Sequence, residues 1–217
     1  MALELQPERA LLNDLNPHLI NFYQCLQRGL VVRVEMQNQE RAYYRQRERF
    51  NTLVRRGEYE TQEAASLFYY LNRTGYNGLC RFNRKGEYNV PFGRYARIRY
   101  TSDFRAYAPL LAQWRFECTD FCQLALQPDD WIYADPPYDV EFTSYSRHAF
   151  DWEDQVRLAE WLAHHPGPVI ASNQATGRIR ALYGRLGFQI TLLEGPRRIS
   201  CNGDRRPALE ILATKGL

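Results

Sequence analysis

Asp135-Pro136-Pro137-Tyr138 places a carboxylate, proline-constrained carbonyls and an aromatic ring within four residues. Two prolines can neither continue a helix nor sit in a central strand, and they bring no N–H of their own to the backbone. A carboxylate beside a stiff carbonyl offers two acceptors in fixed geometry, which suits a group with two N–H donors, an amino group. Tyr138 can stack on a flat ring. Together the four residues fit an exocyclic amine on an aromatic heterocycle. The lone pair of such an amine is delocalised, and two acceptors on its hydrogens favour a pyramidal, nucleophilic nitrogen. The same residues also suit a Pro-Pro turn with a capping aspartate.

The elements that must position this stretch follow from caps and periodicity. Residues 131–134 read as a short buried strand ending at Asp135. Asp151 and Asp154 stand at the cap and N3 positions of a helix through Trp161. "PVIAS" is a strand, "TGRIRALYGRLG" a helix with a glycine stop, "FQITLLE" a strand and "ALEILAT" the last strand. Alternating strand and helix indicates an α/β sheet with helices on its faces. Ligands bind such sheets beyond the carboxyl ends of the strands, where Asp135 lies.

Before it, Asn16-Pro17 is a cap followed by proline at the first helical position, with Gly29 ending the helix. Residues 40–56 read as an arginine-rich helix stopped by Gly57. Residues 61–72 read as another, with Leu67, Phe68 and Leu71 on one face. "TGYNGLCRFNRKGEYNVPFGRY" alternates about a turn at Arg84-Lys85-Gly86, the pattern of a β-hairpin. Ser102 can cap a helix to about Trp114.

The chain has 217 residues and a net charge of +3, but among its 28 basic residues only Lys85 and Lys215 are lysine. From Arg73 to Arg99 there are seven cations (Arg73, Arg81, Arg84, Lys85, Arg94, Arg97, Arg99) and one acid, Glu87. Tyr76, Phe82, Tyr88, Phe92 and Tyr95 are interleaved with them. Arginine forks with aromatics suggest a nucleic-acid surface; a solvated basic hairpin has the same composition. The five cysteines form no CxxC pair and the four histidines no HxxxH spacing, so the expectation is reduced thiols and no metal site. No apolar run is long enough to cross a bilayer and the N-terminus lacks signal-peptide regions, which points to a soluble, cytoplasmic protein with no membrane partner.

The tetrad resembles the catalytic motif of amino-methylating DNA methyltransferases. "LFYYLNRTGYNGLCRFNRKGEYNVPFGRY" (residues 67–95) is closely similar to the DNA-recognition segment of the Dam-type, D12 class adenine-N6 methyltransferases. "IASNQAT" (residues 170–176) and "RRISCNGDRR" (residues 197–206) resemble that family too. The likeness runs from about Leu11 to the C-terminus. It implies a Rossmann-like, S-adenosylmethionine-dependent α/β sheet with an inserted helical and β-hairpin recognition region. Residues 1–28 and 116–217 would form the catalytic core, and residues 29–115 would read double-stranded DNA.

The resemblance also implies roles. Asp135 and the Pro136 carbonyl, stiffened by Pro137, would hold the adenine amino group, and Tyr138 would stack on a base flipped from the duplex. Asp135 would also lie beside the methyl donor, S-adenosylmethionine. Asp14, in "LLNDLNPHL", matches the acid that binds the donor's ribose hydroxyls; by itself it reads as a helix cap. Arg81 matches a base-reading arginine whose fork fits guanine O6 and N7. Tyr76 matches an aromatic inserted near the flipped base, and Asn77, Leu79 and Pro91 match residues near the bases. Arg94 and Arg97 suit phosphates. The implied target is a GATC-like site.

The family pattern opens with Phe-x-Lys-Trp-x-Gly-Gly-Lys and a Phe-x-Gly-Gly turn that contact the donor. Neither is found here: "MALELQPERALLNDLNPHLI" joins the pattern just before Asp14. The expectation is an N-terminally truncated sheet and an incomplete donor site. A longer gene product or a second chain would complete it. The alternative is a catalytically silent DNA-binding remnant.

Overall fold

The computed structural model describes residues 2–139, 150–195 and 208–217. They fall into two units, Met1–Asp120 and Phe121–Leu217. The first contains α1 (Ala2–Leu5), β1 (Leu11–Asn13), α2 (Pro17–Gln27), α3 (Glu40–Arg56), α4 (Gln62–Thr74), α5 (Ala108–Leu111) and β2 (Arg115–Glu117). The Asn16 side chain accepts the His18 and Leu19 N–H groups at the start of α2, and Pro17 fills the first helical position, where no N–H is needed. Gly57, in the left-handed region at φ 71, closes α3. Thr61 Oγ1 accepts the Ala64 N–H (3.1 Å) to start α4.

The expected apolar face of α4 is present: Leu67, Phe68 and Leu71 are buried against Tyr43 and Phe50 of α3 and against Tyr88 and Val90. A second cluster gathers Cys25, Leu26, Leu30, Phe104, Leu111 and Trp114. β1 and β2 pair in parallel, Leu11 opposite Arg115. Each is too short for an alternating pattern to announce it.

Two local expectations in this unit are corrected. Residues 79–92 form the expected hairpin only in its shortest form. They contain a single antiparallel bridge, Phe82 to Tyr88, beyond a tight turn closed by the Gly86 N–H on the Asn83 carbonyl. The ladder stops for a local reason. After the rungs Asn83 N–H to the Glu87 carbonyl (2.8 Å) and Asn89 N–H to the Arg81 carbonyl (3.1 Å), the next pair would be Leu79 and Pro91, but Pro91 has no N–H and the Leu79 N–H goes to the Tyr76 carbonyl (3.1 Å). The outer edge of Tyr88 is held from α3, where Asn51 accepts its N–H (2.8 Å) and donates to its carbonyl (3.1 Å). Ser102 does not cap a continuous helix. A 3-10 turn at Arg105–Tyr107 precedes the four-residue α5, because Pro109 has no N–H to extend helical bonding back toward Arg105.

The second unit contains β3 (Ile132–Ala134), α6 (Trp152–His164), β4 (Val169–Gln174), α7 (Gly177–Arg185), β5 (Gln189–Gly195) and β6 (Ala208–Lys215). Its sheet has the order β3-β4-β6-β5, with β3 parallel to β4 and the other neighbours antiparallel. Asp151 and Asp154 make the expected capping box: each side chain accepts the other's backbone N–H. Leu158 and Leu162 of α6, Ile179 and Tyr183 of α7, Val169 and Ala171 of β4, and Ile211 and Ala213 of β6 form the core.

β3 is not the buried strand its sequence suggested. Among the described residues it pairs on one side only, and Trp131 is 71% and Tyr133 41% exposed. An apolar run reports composition; burial needs neighbours on both faces. The architecture is mixed α/β.

Candidate active site and DNA-reading segment

Asp135 follows β3 directly, at the carboxyl end of a parallel pair, where ligands of α/β sheets are bound. Its side chain is fixed from β4: Ser172 Oγ donates to Asp135 Oδ1 (2.6 Å), and the Tyr133 hydroxyl donates to Ser172 Oγ (3.3 Å). One carboxylate oxygen is thereby held, and a carboxylate has acceptor capacity on the other. The residue itself is exposed, so the carboxylate can meet a ligand.

The loop beyond it is pinned at its far end. Gln155 Nε2 of α6 donates to the Pro137 carbonyl (2.7 Å), and its Oε1 accepts from Asn173 Nδ2 (2.9 Å). Asn173 Oδ1 accepts the Asp139 N–H (3.0 Å) and the Gln174 N–H (2.8 Å). Among the described residues no hydrogen bond reaches the Pro136 carbonyl. The Asp139 carboxylate is buried, paired in a fork with Arg178 and accepting from Thr176 Oγ1 (2.9 Å). The Arg178 guanidinium holds this carboxyl below the ordinary carboxylate range, against the opposing push of burial. Arg178 also lies over the Trp152 ring, 4.6 Å from its centroid.

Tyr138 is half-buried, and its hydroxyl makes a long contact with Glu210 Oε2 (3.5 Å). Burial pushes the hydroxyl pKa upward, so the ring is a neutral phenol at neutral pH. The four tetrad residues thus stand as a held carboxylate, a carbonyl with no partner among the described residues, a clamped carbonyl and a neutral ring. Sequence reasoning missed Ser172, Asn173, Gln155, Asp139 and Arg178. Ser172 and Asn173 lie within "IASNQAT", a piece already singled out; nothing in the spacing marks the others.

Asp14 stands just beyond the carboxyl end of β1, exposed. Its Oδ1 accepts the Asn16 N–H (2.7 Å), so it shapes the approach to α2, as its cap-like sequence suggested. The neighbouring Asn16 Nδ2 reaches Cys80 Sγ (3.4 Å), which ties this corner to the predicted reading segment.

That segment is irregular backbone carried by helices. Besides Asn51 on Tyr88, Tyr43 (2.8 Å) and Arg47 (2.9 Å) of α3 both donate to the Val90 carbonyl. The Tyr76 N–H donates to the Pro91 carbonyl (2.9 Å), bringing these two predicted base neighbours together. Asn77 sits in the left-handed region (φ 53), which asparagine tolerates. Leu79 is half-buried against the α3–α4 core and its carbonyl accepts from Tyr88. Gly93 is required by close approach: a side chain there would collide with the Tyr95 ring and the Thr74 and Gly75 carbonyls.

The predicted cations lie outward. Arg81 is exposed, and Asn89 takes the Nε side of its fork through Oδ1 (2.8 Å) and its carbonyl (3.2 Å). Arg94 is exposed beside Glu40 at 3.5 Å, and Arg97 is exposed further along. Beneath the segment, His18 stacks on Phe82 with ring centroids 5.0 Å apart and meets Phe50 edge-on. Burial lowers its pKa to about 4.

The fold is that of a mixed α/β protein, with an acid-Pro-Pro-aromatic loop at a strand end and a separate arginine-bearing segment. Comparison with known proteins goes further. Residues 1–199 match the D12 class N6 adenine-specific DNA methyltransferase family. The chain is 36% identical over 221 residues to a retron Ec67 DNA adenine methylase of Escherichia coli, covering 95% of this chain and 75% of that one. It is 36% identical over 214 residues to a DNA N-6-adenine-methyltransferase of Escherichia phage P1, covering 90% of this chain and 28% of that protein. It is 34% identical over 223 residues to the DNA adenine methylase of Escherichia coli K12, at 94% and 78% coverage. The chain belongs to the D12 class N6 adenine-specific DNA methyltransferase family. Among the described residues no helix is long and apolar enough to cross a membrane, and no group of acidic, histidine and cysteine side chains could hold a metal.

Proposed function

We propose that this chain carries the catalytic and DNA-reading parts of an enzyme that methylates N6 of adenine flipped out of duplex DNA, at a GATC-like site. The observation that carries the reading is the pair of acceptors at the end of β3: the Asp135 carboxylate, held on one oxygen by Ser172, and the neighbouring Pro136 carbonyl. They suit the two hydrogens of an amino group. As that nitrogen bonds carbon it gains positive charge, and both acceptors then strengthen their hold. Tyr138 offers a neutral ring face for the base. A paired adenine cannot present its amino group this way, so the base must leave the stack.

The family implies S-adenosylmethionine as donor, which supplies an electrophilic methyl group. Two acids have a fitting chemistry, each just beyond a strand of its own unit. Asp14 follows a strand of a parallel pair and has a second oxygen to accept ribose hydroxyls; Asp135 occupies the matching position after β3. In this reading, residues 29–115 read the DNA, with Arg81 on a guanine, Tyr76, Asn77, Leu79 and Pro91 near the bases, and Arg94 and Arg97 on phosphates. Residues 1–28 and 116–217 form the catalytic part; the pairing of β1 with β2 supports joining the first of these to the start of the second.

The test pairs radiolabelled methyl transfer with a gel-shift on the same duplex. Asp135→Ala should lose about a thousandfold in turnover, the upper range for one preorganised group at a reacting centre, with DNA binding retained. Turnover near the parent level rejects the assignment. DNA binding by a parent chain that transfers no methyl group identifies the silent DNA-binding alternative.

A further inference from the structure

We propose that Gln155 is a positioning residue for methyl transfer, aiming the Pro136 carbonyl by clamping the carbonyl next to it. This rests on the assignment of Asp135 and the Pro136 carbonyl to the adenine amino group.

The need for such a residue comes from the prolines. A loop with two consecutive prolines has two fewer N–H groups with which to bond itself, so its carbonyls must be held from outside or left open. Here one is held and one is open. The Pro137 carbonyl receives Gln155 Nε2 at 2.7 Å, and among the described residues the Pro136 carbonyl receives nothing. The ring of Pro137 locks its φ, and the peptide planes are rigid. Only one soft torsion, ψ of Pro137, therefore separates the clamped carbonyl from the open one. Holding the first strongly restricts the direction of the second.

The clamp is itself built, not incidental. Gln155 is 2% exposed and Asn173 is fully buried. Asn173 Nδ2 occupies Gln155 Oε1, which orients the Gln155 amide so that its donor faces Pro137. Through Oδ1 the same Asn173 holds the Asp139 N–H, two residues further along the loop. A buried amide with both ends satisfied has one stable orientation, because leaving either end unpaired costs its desolvation. With Ser172 on Asp135, the loop is gripped at its start and after its prolines, and the unclaimed acceptor lies between.

Gln155→Glu separates aiming from packing. It keeps an acceptor for Asn173. When ionised it sets a carboxylate oxygen against the Pro137 carbonyl; when protonated it carries an O–H that can donate as the amide did. Burial raises the pKa of such a carboxyl, so the donor returns as pH falls.

Single-turnover methyl transfer to duplex DNA is measured across pH for the parent, Gln155→Glu, Gln155→Leu and Asp135→Ala, with gel-shift affinity and thermal melts alongside. Gln155→Glu should be about a hundredfold slow at mildly alkaline pH, the scale of an ångström-sized misplacement, with DNA affinity unchanged. Its rate relative to the parent should recover as pH falls, while Gln155→Leu stays slow throughout. Parent-like rates in both variants overturn the proposal. So does a Gln155→Glu deficit that is flat with pH and matched by lost DNA affinity, the signature of a structural role alone. High turnover in Asp135→Ala instead overturns the amino-group assignment, so the two failures are distinguishable. A readout that needs no turnover is hydrogen exchange of the Gln155 side-chain amide in ¹⁵N-labelled protein: protection supports the clamp, and exchange at the rate of a free amide overturns it.

Discussion

The proposed reading segment around residues 76–97 and the proposed catalytic loop at residues 135–139 solve one problem in two ways. Both are irregular backbone whose polar groups cannot pair within a helix or sheet. Both are held by buried amide side chains: Asn51 of α3 grips Tyr88, and Gln155 with Asn173 grips the proline loop. They differ in what is left outside. The reading segment presents its cations on exposed tethers, Arg81 on Asn89 and Arg94 near Glu40. Such contacts are individually weak and exchange readily for phosphate or base edges. The catalytic loop keeps its charged pair, Asp139 with Arg178, at its inner end and presents one carboxylate and one carbonyl. Reading calls for side chains that can change partners; transfer calls for acceptors that do not move.

The largest break in this comparison should come from the clamp of the reading segment. Asn51→Leu leaves both the N–H and the carbonyl of buried Tyr88 without their partner, at about 1–3 kcal/mol for each. A urea or thermal melt should shift accordingly, and discrimination between DNA sequences should fall with it. An unchanged melt would show that the segment is held elsewhere.

Acid should separate the two regions. Folded His18 resists protonation until about pH 4, whereas the unfolded chain takes that proton near 6.5. Stability of its unit should therefore fall as pH drops through that window, by up to about 1.4 kcal/mol per pH unit for one group. The Asp139 carboxyl has its folded pKa lowered, so its contribution is present above the ordinary carboxylate value and is lost only as pH falls below it. His18→Phe should flatten the upper window and leave the lower one, which unfolding followed against pH can resolve.

Smaller effects should appear among the exposed cations. Arg81→Ala should cost about 1–3 kcal/mol at one base pair and relax specificity there. Equal loss on every sequence would remove Arg81 from base reading. Arg94→Ala should weaken binding uniformly and reduce the salt slope by about 1, with no change in sequence preference. A titration of affinity against salt concentration checks this.

Much of the frame was legible in the sequence because its signals are local. Asn16-Pro17, Gly57, Thr61 and the Asp151–Asp154 box act through bonds within a few residues, and each marks a boundary that the fold keeps. The tetrad, the α4 apolar face and the order of elements after residue 150 are of the same kind. Tertiary structure alone decided the rest. The expected hairpin is shorter than its pattern, and its outer edge is held by Asn51, 37 residues from Tyr88. The three-residue β1 and β2 pair with each other across more than 100 residues. The strand before Asp135 looked buried because it is apolar, yet among the described residues it has a strand neighbour on one side only. Ser172, Asn173 and Gln155 reach the tetrad only when β4 and α6 pack beside it. Sequence determines the groups available to the site and the local turns that begin and end its elements. Which acceptor is held, and which is left open for a ligand, depends on long-range contacts that no local spacing encodes.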